Sequence, residues 1–155
     1  MTENIDRWTF ATMSGNFVGE FEADIQVFVE GTGKERPLNE EYLEFRLDGP
    51  RKRQPSRIDL RYEFEINILC RVFMDSKNFH RMRNLVGRVR TWLDQNHCIY
   101  RYGNGPDDDE LSLLGELHLR NRKSFDAIRT NHFGQIDPKY RIEEATVEAT
   151  FELHL

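Results

Sequence analysis

Cysteine is scarce in this sequence. Cys70 and Cys98 are the only two among 155 residues, and they lie far apart and outside any metal-ligand spacing. A disulfide-stapled secreted domain and a cysteine-based zinc module are both disfavoured. A chain of this length buries roughly 68 to 70% of the surface of its unfolded form, so its core needs neither disulfide nor metal. We interpret both cysteines as ordinary half-buried thiols of a protein made in a reducing cytosol.

An excess of positive charge and long apolar runs are also lacking. The formal net charge is -5 at pH 7, whereas a dedicated nucleic-acid binder has a clearly basic domain. No apolar run approaches the ~20 residues of a membrane span, and residues 1–7 are polar, unlike a signal peptide. We therefore expect no membrane partner, no specific binding of nucleic acid and a protein that stays where it is made.

Motifs for catalysis or cofactor binding are missing as well. Residues 31–35 contain two glycines and a lysine, but a phosphate-binding loop needs an earlier glycine and a hydroxyl where Glu35 stands. Aspartates 107–109 lack the alternating oxygen donors of a calcium loop. The five histidines have no metal-ligand spacing, although His118 and His154 lie on candidate strands that could bring them together. We predict no cofactor, no metal and no enzymatic activity.

The strongest positive pattern is an alternation of apolar and polar residues over positions 58–73, which is typical of a half-buried strand. Only Leu69 and Phe73 interrupt its polar side. Extended at about 3.3 Å per residue, the 16 positions span roughly 53 Å, whereas a compact domain of this size has a diameter of about 39 Å. Such a strand either bends or extends beyond its own domain. We predict the second case, in which another copy completes the strand, because an exposed apolar edge invites aggregation.

The remaining periodicities complete a single domain over residues 1–155. Strands are predicted at 25–30, 43–47, 98–102, 111–119, 127–133 and 145–155. A central helix has Phe79, Met82, Val86, Val89 and Leu93 along one face. A short helix from Asp6 onward would use Trp8, Ala11, Gly15, Val18 and Phe21, with a strand as the alternative. The expected fold class is α+β: a mainly antiparallel sheet with a long extended strand, packed by one long central helix and a short N-terminal helix.

Several stretches look familiar together: residues 43–50 (LEFRLDGP), 104–109 (NGPDDD), 113–117 (LLGEL), 131–138 (NHFGQIDP) and 145–151 (ATVEATF). They resemble structural proteins encoded beside phage virion genes, and the element order is similar to the tail-terminator family of long-tailed phages. The resemblance implies a virion protein, made in the host cytoplasm, that forms a hexameric ring at the head-to-tail junction. Its partners would be tail-tube and neck or connector proteins, and the genome would pass through its lumen without specific binding.

Three sets of candidate residues follow from this interpretation. The subunit-interface candidates are Ile58, Leu60, Tyr62 and Phe64 of the long strand and Arg81, Arg83, Arg88 and Arg90 on the flanks of the central helix. The lumen-facing candidates are Glu63, Glu65, Glu148 and Glu152, because a negative wall repels DNA phosphates. The docking-loop candidates are Lys34 and Arg36 in the predicted loop 31–39 and Arg51, Lys52, Arg53 and Arg57 in the predicted loop 51–57.

Alternatives remain open at this stage. Another virion structural subunit, in a tail tube, a baseplate or a capsid decoration, would share nearly every feature above. The helix arginines fit a solvated flank as well as an acidic partner, and the basic loop fits either DNA or a neighbouring protein. A small cytoplasmic enzyme or ligand-binding domain is the third class, and it predicts a deep pocket in the monomer.

Overall fold

The computed structural model describes residues 2–53, 61–74, 80–101, 112–137, 139 and 141–155. Of these residues, 49% lie in strands and 25% in helices, so the sheet dominates the fold. In chain order the elements are α1 (Thr2–Phe21), β1 (Val27–Val29), β2 (Tyr42–Arg53), β3 (Arg61–Phe73), α2 (Arg81–Leu93), β4 (His97–Arg101), β5 (Ser112–Leu119), β6 (Ile128–Asp137) and β7 (Ile142–His154).

The seven strands of the described residues form one mixed sheet in the order β1-β2-β3-β7-β5-β4, and β6 also pairs with β7. Along its outer side, β7 pairs with β6 through residues 142–149 and with β5 through residues 151–154. The segment 120–127, which connects β5 to β6, leaves the sheet between these two pairings. Beyond residues 142–149 of β7 the sheet therefore ends in β6, and beyond residues 151–154 it continues through β5 to β4.

One face of this sheet is apolar, and both helices pack on it. Alternation along β3 directs side chains such as Phe64 and Ile68 to this face, where both are fully buried. Phe17 of α1 contacts Phe45 of β2, with ring centroids 5.3 Å apart, and Trp92 of α2, at 5.1 Å. Aromatic pairs at these separations stabilise beyond their buried area. The opposite face of the sheet is left for polar side chains.

The two helices contradict the predicted lengths. The N-terminal helix α1 has 20 residues and the central helix α2 has 13, so the expected long central helix and short N-terminal helix are wrong. Of the predicted stripe, Trp8 and Phe21 are buried, but Gly15 is exposed and the buried face runs instead through Met13 and Phe17. Burial of this face outweighs the poor helix propensity of glycine. Neither helix of the described chain is long and apolar enough to cross a membrane.

The predicted apolar seam of α2 is present where it is described. Its four described members, Met82, Val86, Val89 and Leu93, are buried. Phe79, which the sequence places at the start of the same seam, lies outside the described residues. This agreement reflects the regular spacing of three and four residues, which fixes one helix face whatever the sheet topology.

The expectation of a mainly antiparallel sheet is also wrong, because the sheet is mixed. Strand β1 runs parallel to β2, with Val27 opposite Leu43, and the other described strand pairs are antiparallel. The connection of residues 30–41 is long enough to return the chain to the start of β2. A tight hairpin turn would have forced the two strands to run in opposite directions.

The predicted extension of the long strand beyond its domain is wrong for the described part of that strand. Residues 61–71 of β3 pair with β2 and residues 62–73 pair with β7, so both of its sides are occupied within the chain. The flanking strands are equally long, and sheet twist lets such strands curve around the helices of one domain. Ile58 and Leu60, which belonged to the same prediction, lie outside the described residues.

Candidate functional site

The polar face of the sheet carries all four lumen-facing candidates. Glu63 and Glu65 of β3 and Glu148 and Glu152 of β7 alternate with core residues and therefore point away from the helices. Glu63 lies directly opposite Glu152 in the β3–β7 pair, and like charges in this position repel each other. The predicted shared face is present, and it requires compensating charge.

An arginine compensates each of these carboxylates. The N–O distances are 3.0 Å for Arg120–Glu63, 3.7 Å for Arg51–Glu65, 3.3 Å for Arg129–Glu148 and 3.1 Å for Arg61–Glu152. The arginines come from β2, β3, β6 and the segment after β5. The polar face is therefore charge-balanced rather than a negative wall. Whether it lines a lumen stays a prediction.

A hollow of about 380 Å³ lies on this face beside the segment 120–127. Its polar lining includes Glu65, Arg120, Arg129 and Glu148, which already form ion pairs. The lining of the hollow is therefore polar and charge-balanced. The ligand-binding alternative, which predicts a deep pocket in the monomer, stays a prediction.

His118 and His154 meet on the same face, with ring centroids 4.4 Å apart. Each imidazole lies near a glutamate of its own strand, Glu116 at 3.6 Å and Glu152 at 3.8 Å. The possibility that strand pairing brings the two histidines together is confirmed. Even so, no group of three or more His, Cys, Asp or Glu residues in the described chain is arranged to hold a metal ion.

The aromatic interface candidates belong to the core of their own subunit. Tyr62 and Phe64 are buried with 6% and 0% exposure, and they pack in the same apolar cluster as both helices. Their side chains offer no surface to another copy. The sequence pattern correctly marked a buried face, but the helices of the same chain cover it.

The four helix arginines differ in their surroundings. Arg81 binds Glu41, Arg88 lies 2.9 Å from Asp24 and stacks on Phe21, and Arg90 donates to the Ile128 carbonyl at 3.0 Å. Arg83 is exposed. Three of the four therefore brace α2 against its own chain, and Arg83 alone of the four keeps a surface position without a described contact.

The docking-loop candidates also differ in their surroundings. Arg36 donates from Nε to Glu44 at 2.9 Å, donates to the Lys34 carbonyl and stacks on Phe28 at 4.5 Å. Burial alone would raise the pKa of Glu44, but its hydrogen bonds from Arg36 and Arg46 outweigh that effect and lower it. Arg36 therefore anchors the connection 30–41, whereas Lys34 is exposed and free to meet a partner.

The predicted loop 51–57 is wrong over residues 51–53, which continue β2. A register shift between Asp48 and Arg51 lets the strand resume after Gly49 and Pro50. The Arg51 side chain is 67% exposed. The described backbone of Lys52 and Arg53 lies in the strand, and Arg57 lies outside the described residues.

The sequence analysis missed the open edges of the sheet. Strand β6 continues to Asp137, beyond the predicted end at residue 133, and pairs only with β7 among the described strands. Phe133 and Ile136 on this strand are 56% and 49% exposed. Strand β1 is the opposite edge. Exposed apolar residues on an unpaired strand mark a contact surface, and residues 131–138 were singled out only by resemblance.

No protein-family model and no curated protein matches the chain. The chain is similar to a solved structure whose name carries no functional information, with a TM-score of 0.52 and 11% sequence identity. The match covers 100% of this chain and 96% of that chain. At this identity the similarity concerns the fold alone, and it extends over the whole domain.

Proposed function

We propose that this chain is a virion structural subunit of the phage head-to-tail junction, which assembles with copies of itself into a tail-terminator-like ring. The observation that carries the proposal is that β1 and β6, on opposite sides of one sheet, each lack a second partner among the described strands. The remaining edge strand, β4, lies against α1, where the Tyr100 N–H donates to the Thr12 hydroxyl at 3.4 Å. Phe133 and Ile136 add exposed apolar surface to the longer edge. The family resemblance supplies the location and the expected hexamer.

An open edge presents unpaired backbone N–H and C=O groups to any other strand. Soluble proteins blunt such edges with short strands, prolines, charges or a covering element. Strand β6 has ten residues and no proline. Strand β1 is shorter, with three residues, but it also lacks an outer partner among the described strands. A protein with unpaired strands on opposite sides of its sheet can join head to tail, and head-to-tail contacts close into rings when the rotation fits.

The charge-balanced polar face suits a channel through which DNA slides. Unpaired arginines on such a surface would hold phosphates, and a dense row of unpaired carboxylates would repel one another. Pairing each glutamate with an arginine avoids both the retention of phosphates and the repulsion between carboxylates. Lys34, exposed at the surface, is the described residue that we assign to contacts with tail-tube and neck proteins, because Arg51 pairs with Glu65 on the polar face.

Assembly is tested by light scattering over a concentration series, with negative-stain electron microscopy of the largest species. We expect closed rings of about six times the 18.5 kDa mass of one chain. Ile136→Lys should shift the protein toward monomer, because it places a charge within the β6 edge. Leu113→Lys makes the same apolar-to-lysine change on β5, at a site with 61% exposure outside both β1 and β6, and should leave the ring intact. A wild-type protein that stays monomeric at every concentration contradicts the proposal.

A further inference from the structure

The two open edges lie at the same level of the sheet. Five strands lie side by side here, with each residue directly opposite its partner on the next strand. The paired stretches, in order across the sheet, are 27–29 of β1, 43–45 of β2, 70–68 of β3, 145–147 of β7 and 132–130 of β6. Strands β1 and β6 also run in opposite directions, because one parallel and three antiparallel steps separate them. A second copy placed beside β6 could therefore continue the sheet with its own β1 as an antiparallel neighbour.

The backbone groups of β6 that face outward can be identified. The Arg120 N–H donates to the Thr150 carbonyl at 2.9 Å, and Arg120 follows β5, which lies on the same side of β7 as β6. Backbone groups alternate in direction along a strand, so every second residue of β7, counted from Thr150, directs its backbone groups toward β6. Among their partners is Arg129, opposite Glu148. Thr130, one residue further on, therefore directs its N–H and C=O to the open side, and so does His132.

The same reasoning identifies the outward groups of β1. The Gln26 carbonyl accepts from the Leu43 N–H at 2.9 Å, and the Glu30 N–H donates to the Phe45 carbonyl at 3.0 Å. These bonds join β1 to β2, so the alternate residues Val27 and Val29 direct their backbone groups away from the sheet. Of these groups, the Val29 carbonyl already accepts from the Thr32 N–H at 3.3 Å and from Arg36 Nη2 at 3.5 Å. A neighbouring strand would therefore accept from the Val29 N–H or displace one of these two donors.

We propose that copies join head to tail by pairing β6 of one copy with β1 of the next, so that one sheet runs through the assembly. With no shift along the strands, Thr130 pairs with Val29 of the next copy and His132 pairs with its Val27. All four residues direct their backbone groups outward. The same register places Arg129 opposite Glu30. Both are exposed, and both lie on the polar face, since Arg129 contacts Glu148 there and Glu30 is two residues from Phe28, which packs on Tyr42.

A second copy is the occupant that these observations favour. Opposite charges directly across an antiparallel pair stabilise it, whereas like charges oppose it. Pairing of β6 with another β6 would close a dimer and leave β1 open in both copies. Head-to-tail pairing occupies both edges in every copy of a ring. The inference rests on the proposed self-assembly and adds to it the strands, their direction and their register.

Disulfide trapping tests this register. The native thiol at Cys98 is exposed and is first replaced in Cys98→Ser, whereas Cys70 is buried and stays. Arg129 and Glu30 would form a non-hydrogen-bonded pair with Cα atoms about 4.5 Å apart, within the range that a disulfide spans. Under mild oxidation, Glu30→Cys with Arg129→Cys should give a covalent ladder up to the full ring. Glu30→Cys with Asn131→Cys is the matched control, because that diagonal distance is roughly 7 to 8 Å.

Mixing the two single-cysteine proteins gives the decisive readout. Each alone should stay uncrosslinked, and the mixture should give covalent dimers. Crosslinking of Arg129→Cys alone would overturn the inference in favour of β6–β6 pairing. Rings that form but give no crosslink in the double variant would overturn this register while leaving the proposed function standing. A protein that stays monomeric in light scattering overturns both.

Discussion

At the scale of single residues, His97 is a buried ionisable group through which pH should change stability near neutrality. It opens β4 with 7% exposure, its Nε2 lies 3.0 Å from the Trp92 carbonyl, and its ring lies 4.7 Å from that of Trp92. Burial lowers the pKa of His97, and the positive charge of Arg122 lowers it further, while the bond to Trp92 opposes both. The folded protein therefore prefers a neutral imidazole here.

Acidification should destabilise the protein through this group. The unfolded chain binds the proton more readily, so the free energy of unfolding falls as the pH drops through the ordinary value of 6.5 toward the lower folded pKa. His97→Gln, which stays neutral, should flatten this part of the profile in urea unfolding. His132→Gln removes an exposed imidazole and should follow the wild type. An unchanged slope in His97→Gln would contradict this account.

Arg71 shows why single residues were misjudged from the sequence. It lies on the polar side of the alternation over positions 58–73, which predicts exposure to solvent, yet it is 8% exposed. It donates to the carbonyls of Pro37 and Leu38 and to the Tyr42 hydroxyl. These partners lie about 30 residues away in the chain, and sequence spacing cannot report such contacts. The connection 30–41 covers this end of the polar face, so an arginine there is buried with its partners.

At the scale of elements, the packing of β5 against β7 depends on Gly115. A Cβ atom at this position would lie 2.3 Å from the His154 backbone carbonyl oxygen, and backbone cannot move aside as a flexible side chain can. Gly87 in α2 has nothing within 4 Å of the same added atom. Substitution by alanine is therefore expected to have opposite effects on stability at the two glycines.

Gly115→Ala should lower the free energy of unfolding by about 1 to 3 kcal/mol, the usual effect of overpacking. Gly87→Ala should raise it by up to about 1 kcal/mol, because alanine favours the helix and meets open space. Chemical denaturation of both variants measures the two signs. A neutral Gly115→Ala would show that β5 and β7 are not held this close.

Elements were predicted as well as their periodicity allowed. The alternation along β3 and β7 identified which residues face the core, and the spacing in α2 identified its buried seam. Periodicity says nothing about which strand is central, so the stretch 58–73 was assigned to a subunit interface although β2 and β7 flank its described part. The length of α1 was underestimated because the local spacing does not show the sheet on which Phe17 and Phe21 pack.

At the scale of the whole molecule, the sequence predicted the shared face of the four glutamates but not its charge. The compensating arginines come from elements distant in the chain, as in Arg120–Glu63 and Arg51–Glu65. Net charge therefore describes this face poorly, because its four glutamates are paired with arginines. The edges β1 and β6 are likewise properties of the assembled sheet, and no local pattern marks them.

Charge balance on the polar face leads to a prediction about DNA. Glu63→Gln with Glu65→Gln removes the carboxylates that pair with Arg120 and Arg51 while keeping their shape. The variant should retain duplex DNA in gel shifts at low salt, with affinity falling by about the second power of salt concentration, as expected for two phosphate contacts. Wild-type protein should let the DNA migrate freely.

The matched control separates this face from net charge. Glu20→Gln with Glu22→Gln changes the charge by the same amount at exposed positions at the C-terminal end of α1, on the other side of the sheet. Phosphates bind where cations lose their partners, so this control should behave like the wild type. Equal DNA retention by both variants would mean that overall charge governs the effect, and the polar face would then have no special role in letting a genome pass.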